Sequence, residues 1–142
     1  MPDADLRRLF RLSLPGAQWT PVETGATAAG VPDAEYCFAG GASGWVEFKA
    51  TRGWQVKKSR SLPFQVAWHE ERARCGGRSF VAVRQQLASG RDDLYVVHGS
   101  VIRSLASGAR LDEVPLLSYS SGGPRCWSWS TIKEVLACRS AG

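Results

Sequence analysis

Apolar residues recur with two different periods along this chain, and the change of period marks its elements. Over residues 5–14, Leu6, Leu9 and Phe10 share one side of a 3.6-residue repeat while arginines fill the other, which predicts an amphipathic helix. Leu14-Pro15-Gly16 ends it. A short strand is predicted over 18–23, then a glycine-bearing loop over 24–31. Residues 34–38 and 45–50 read as the strands of a hairpin, with Gly40, Gly41, Ser43 and Gly44 in its turn. A basic loop, 51–60, leads into a helix over 61–75. Ser61 is its N-cap, Pro63 lies in its first turn, and Gly76-Gly77 stop it. Phe64, Trp68 and Cys75 form its expected apolar stripe.

Residues 79–84 and 94–97 are patterned as buried strands on either side of a turn at Gly90-Arg91-Asp92. A short helix is expected over 100–106 and a last one over 132–138, preceded by Trp127 and Trp129. No repeat, linker or low-complexity stretch interrupts this order. It predicts a single α/β domain over 1–142, a mixed central β-sheet flanked by α-helices.

Composition narrows the class. An apolar fraction of 44% over 142 residues, with six tryptophans, supports one real core. No apolar run approaches the roughly 20 residues needed to cross a bilayer. The first residues are acidic where a signal peptide is basic, so the expected compartment is the cytoplasm. Cys37, Cys75, Cys126 and Cys138 are too scattered for a zinc ribbon and read as buried reduced thiols. The net charge of +5 favours a polyanionic partner, and Arg52, Lys57, Lys58 and Arg60 concentrate charge in one loop.

The chemistry concentrates on the second strand of the hairpin. Alternation puts Val46, Phe48 and Ala50 on one face and Glu47 with Lys49 on the other. A salt pair on a solvated strand is the plain interpretation of that couple. Gly30-Val31-Pro32-Asp33 lies one hairpin upstream, and Pro32 delivers Asp33 at a rigid strand start, beside Glu47 once the hairpin pairs. Two adjacent carboxylates repel unless a cation lies between them. Mg²⁺ suits an oxygen-only site, with Mn²⁺ as the alternative.

Gly-x-Pro-Asp, then thirteen residues from Asp33 to Glu47-Phe48-Lys49, resembles the PD-(D/E)XK nuclease superfamily. Leu62-x-x-Gln65-x-x-Trp68 followed by Gly77 and a valine-rich strand is similar to its VRR-NUC and Holliday-junction-resolvase branches. The resemblance spans roughly residues 19 to 85. It implies a restriction-endonuclease-like core with Asp33, Glu47, Lys49 and Gln65 at the active site. It also implies a further upstream acid, which Glu23 supplies. Asp33, Glu47 and Glu23 would then be the metal ligands.

The activity so implied is Mg²⁺-dependent hydrolysis of phosphodiester bonds in branched DNA, by a homodimer matching a junction's two-fold symmetry. Trp45, Trp54, Trp127 and Trp129 are the aromatics expected at its interface. Alternatives are a flap- or end-nicking DNA nuclease and an inactive DNA-binding module of the same fold. Glu35 and His69 are lesser site candidates, and His98 reads as structural. Trp127 and Trp129 could stack on bases, though core packing suits them better.

Overall fold

The computed structural model describes residues 2–22 and 29–138. Helix α1 (Pro2–Ser13) precedes three strands, β1 (Ala17–Pro21), β2 (Ala34–Phe38) and β3 (Ser43–Thr51). Helix α2 (Leu62–Arg74) crosses to β4 (Ser79–Gln86), which turns into β5 (Asp92–His98). A 3₁₀ turn leads into α3 (Ile102–Ala106), and β6 (Ser118–Ser120) and α4 (Trp129–Ala137) complete the chain. The six strands form one sheet in sequential order. All neighbours are antiparallel except β3 and β4, which run parallel because α2 carries the chain back between them. The α/β class with a mixed sheet and flanking helices is therefore as the sequence predicts.

Side-chain alternation gives the sheet two apolar faces. On one, Tyr36, Val46, Phe48, Phe80, Ala82 and Val96 pack under α1 and α4 through Leu6, Phe10, Ile132 and Leu136. Phe10 meets Phe48 edge to face, with ring centroids 5.0 Å apart. On the other, Val81, Val83, Tyr95 and Val97 lie under α2 and α3 through Leu62, Val66, Ile102 and Leu105. Glu47 and Lys49 pair with Val81 and Val83 and so belong to this second face. They lie between the sheet and α2, whereas a salt pair on a solvated strand would lie in water.

Several local expectations change. The buried side of α2 is Leu62, Val66 and His69, at i, i+4 and i+7. Phe64 is 56% exposed and Cys75 is exposed, because the helix rolls its 62–66–69 side onto the sheet. Trp68 packs sideways instead, on Trp45 and under the Arg72 guanidinium. Ser61 makes no side-chain cap; its hydroxyl lies near Ser59 and Gln65. The cysteines are not buried as expected: Cys75, Cys126 and Cys138 are exposed and Cys37 is half-buried.

The tryptophans assigned to an interface are engaged within the chain. Trp127 is buried and donates to the Asp92 carbonyl, and Trp129 donates to that of Pro124. The guanidinium groups of Arg91 and Arg110 both lie over the Trp54 ring, 5.1 and 4.6 Å from its centroid. No helix among the described residues is long and apolar enough to cross a membrane.

Candidate active site

Asp33 reaches the site through the antiparallel register. Ala34 pairs with Val46, so Asp33, one residue earlier, falls level with Glu47. Past that last pair, the Phe48 N–H donates to Asp33 Oδ2 at 2.8 Å, the side chain standing in for a ladder carbonyl. The Asp33 backbone carbonyl accepts from Val22 N–H at 2.9 Å, which ties it to the end of β1. Gly30 lets the chain approach this closely. Its φ is +83°, and a Cβ there would overlap the Phe64 carbonyl and come within 2.9 Å of Gln65 N. The Gly-x-Pro-Asp run is thus pressed against the first turn of α2.

That turn brings Gln65 into the site. Lys49 Nζ donates to Gln65 Oε1 at 2.7 Å, from the face Lys49 shares with Glu47. Gln65 Nε2 lies 3.4 Å from Ser61 Oγ, which orients the amide from its other end. A fixed ammonium beside two carboxyl groups is the result.

Burial sets the protonation. Asp33 is pushed up from 3.8 to about 7, chiefly because it lies out of water, then by the charge of Glu47 and a hydrogen bond shared with it. The Phe48 N–H and the charge of Lys49 pull the other way without prevailing. Glu47 is 2% exposed. Near neutral pH the Asp33 carboxyl is therefore partly protonated.

One turn beyond Gln65 lies His69, fully buried. Its Nε2 is 3.7 Å from Glu47 Oε1, and its Nδ1 is 2.8 Å from Ser79 Oγ. Burial, then the charge of Lys49, lowers His69 to about 4 against an opposing pull from Asp33. At neutral pH the ring is neutral, so the contact with Glu47 is not an ion pair.

The basic loop opens from the same strand. A cleft of about 270 Å³ is lined by Lys49, Thr51, Arg52, Val56, Lys57 and Gln86 among others. Arg52, Lys57, Lys58 and Arg60 are all exposed. The loop that carries them is pinned: Thr51 Oγ1 donates to the Gln55 carbonyl at 2.8 Å, and Gln55 Nε2 donates to that of Gly108 at 2.8 Å. Buried Gln85 holds the Gly53 carbonyl at 3.0 Å while accepting from Tyr95 Oη. Sequence reasoning missed these tethers, since nothing in the pattern tells a buried glutamine from an exposed one.

The structure thus brings together Asp33, Glu47, Lys49 and Gln65, with His69 behind them. Glu23 lies outside the described residues. Glu35 lies level with Trp45, two positions along β3 from Glu47, and is not among the groups that shift Asp33. His98 bonds Ser100 and is structural, as expected. Among the described residues no group of three or more His, Cys, Asp or Glu side chains is placed to hold a metal ion. Two observations nonetheless fit a cation: the Asp33 and Glu47 carboxyl groups lie together out of water, and burial with the charge of Glu47 raises Asp33 to about 7. Searches against protein-family models and against curated proteins find no match to this sequence.

Proposed function

We propose that this chain is a divalent-metal-dependent nuclease of the PD-(D/E)XK type, with a restriction-endonuclease-like core, that hydrolyses phosphodiester bonds in DNA. The observation that carries this reading is the buried Asp33–Glu47 pair beside Lys49, whose ammonium is anchored on Gln65. Water does not compensate a second negative charge there, so a cation is the natural relief. Asp33 and Glu47 would hold Mg²⁺ or Mn²⁺, with Glu23 as the further ligand the family pattern implies. When bound, the ion supplies Lewis-acid polarisation of the phosphodiester and an activated water.

The chain's own groups do the rest. Lys49 presents a positive charge positioned before substrate arrives, so little reorganisation is needed as negative charge builds on the phosphate. Gln65 keeps that ammonium in place. Phe48 N–H fixes one Asp33 oxygen. Arg52, Lys57, Lys58 and Arg60 line the path of the phosphate backbone, which gives affinity without sequence preference.

Branched DNA is the substrate we assign, cut by a homodimer in the cytoplasm of a bacterial or phage-infected cell. The support is the resemblance of the 62–77 segment to junction resolvases, together with a basic loop adjoining the cleft at Lys49. The internal engagement of Trp54, Trp127 and Trp129 favours a second reading, a monomer nicking flaps or ends. Cleavage of a panel of four-way junctions, flaps and duplexes with Mg²⁺, Mn²⁺ or EDTA tests the activity. Light scattering with and without junction DNA separates the two forms. Absence of metal-triggered cleavage on every substrate overturns the nuclease reading.

A further inference from the structure

We infer that His69 is a positioning residue for Glu47, holding that carboxyl group in place through a buried Ser79–His69–Glu47 chain. This rests on the nuclease reading and deepens it. Three observations on three elements converge. His69, on α2, is fully buried, yet its Nε2 faces Glu47 Oε1 at 3.7 Å and has no hydrogen-bond partner. A buried polar atom without a partner costs stability, and such atoms persist where another duty keeps them. Ser79, at the start of β4 and fully buried, lies 2.8 Å from the other ring nitrogen. Gly99, just past β5, leaves the space for both: a Cβ there would overlap Ser79 Oγ and come within 2.7 Å of His69 Nδ1.

The chemistry assigns the tautomer. A neutral imidazole donates from one nitrogen and accepts at the other. A lone pair aimed at a carboxylate repels it, so the proton belongs on Nε2, toward Glu47. Nδ1 then accepts from the Ser79 hydroxyl. The separation from Glu47 exceeds a direct hydrogen bond and is the kind that one water closes. In either form the imidazole fixes the Glu47 carboxyl from one side while Asp33 meets it from another. Partners of this kind raise metal affinity by orienting a ligand they do not replace. A helix residue thereby couples the packing of α2 to the donor geometry on β3.

The test is Mn²⁺ affinity by calorimetry on the full chain, beside thermal melting. His69→Leu keeps the side-chain bulk and removes the donor; His69→Gln restores one. His69→Leu is expected to weaken Mn²⁺ binding by about 10–100-fold, and His69→Gln to recover most of it at a similar melting temperature. Should His69→Leu fail to fold, Ser79→Ala carries the test: it frees the tautomer and is expected to weaken binding several-fold. Wild-type affinity in His69→Leu, or in Ser79→Ala where that variant stands in, overturns the inference, as does a His69→Gln no better than His69→Leu. A wild-type chain that binds no Mn²⁺ overturns the metal site itself. Intact binding and cleavage in the wild type with unaffected variants overturns only the role of His69.

Discussion

Lys49 Nζ donates to Gln65 Oε1 at 2.7 Å, joining the strand that carries Glu47 to the helix that crosses over it. The bond gives the ammonium one place to be, and it explains why a glutamine belongs in the first turn of α2. Lys49→Ala should leave the fold intact and lower the single-turnover cleavage rate by about 10²–10³-fold, the cost of losing one positioned electrostatic group. Gln65→Ala keeps the charge and loses its anchor, so its loss should be smaller. Equal rates in Lys49→Ala and wild type would remove the amine from the mechanism.

Asp33→Asn separates ionisation from shape. Asparagine retains an acceptor for the Phe48 N–H but cannot ionise. The folded pKa of Asp33, about 7, lies above its ordinary value of 3.8. Its contribution to stability is therefore complete below pH 4 and is lost as pH rises through about 7. His69 works in the opposite sense: its folded value near 4 lies below 6.5, so its contribution is present above pH 6.5 and lost as pH falls through 4. The two nearly cancel between pH 4 and 6.5, which hides both in the wild type. In EDTA, Asp33→Asn should melt higher than wild type at pH 8 and close to it at pH 4, while losing metal binding and cleavage. A pH-independent gap between the two melting curves would mean that Asp33 ionises freely.

Gly30 is expected to be intolerant of any side chain. Alanine at φ +83° costs about 1–2 kcal/mol for the left-handed backbone alone, and its Cβ must also displace the start of α2, where Gln65 lies. Gly41 is the control: its φ is +93°, with open space where a Cβ would go. Gly41→Ala should lower the melting temperature only by the conformational cost. Gly30→Ala should lower it further and reduce cleavage at temperatures where the protein remains folded. Matching losses of stability with unchanged cleavage would mean that the contact does not position Gln65.

The hairpin and its acids were legible because period-2 alternation is a local signal: Val46, Phe48 and Ala50 against Glu47 and Lys49 define both faces without tertiary information. Gln65 was placed by resemblance, and the structure supplies its reason in the bond to Lys49. The face of α2 was misread because Phe64 and Trp68 outrank His69 in hydropathy, while the sheet beneath accepts Leu62, Val66 and His69. Nothing in a single sequence says that a histidine will be the residue turned inward. The short edge strand β6 escaped for a similar reason: Ser118–Ser120 carries no apolar alternation and is a strand only because β5 offers it an open edge. The intrachain roles of the tryptophans were not legible from their count: Arg91 and Arg110 engage Trp54, and backbone carbonyls accept from Trp127 and Trp129.

The basic loop gives the last expectation, and its rigidity sharpens it. Arg52, Lys57, Lys58 and Arg60 project from a segment tethered to Gly108 and Gln85, so their charges stand ready without a folding step. A polyanion that binds there releases condensed counterions, one term for each phosphate neutralised. Replacing Lys57 and Lys58 with alanine should weaken DNA binding equally for unrelated sequences. The slope of log K against log salt should become shallower by roughly two units, since each lost contact removes about 0.9. Lys49 also lines the cleft and is left untouched, so cleavage at saturating DNA should be preserved. Fluorescence anisotropy across a salt series measures the slope, and a slope equal to that of the wild type would place this loop away from the bound strand.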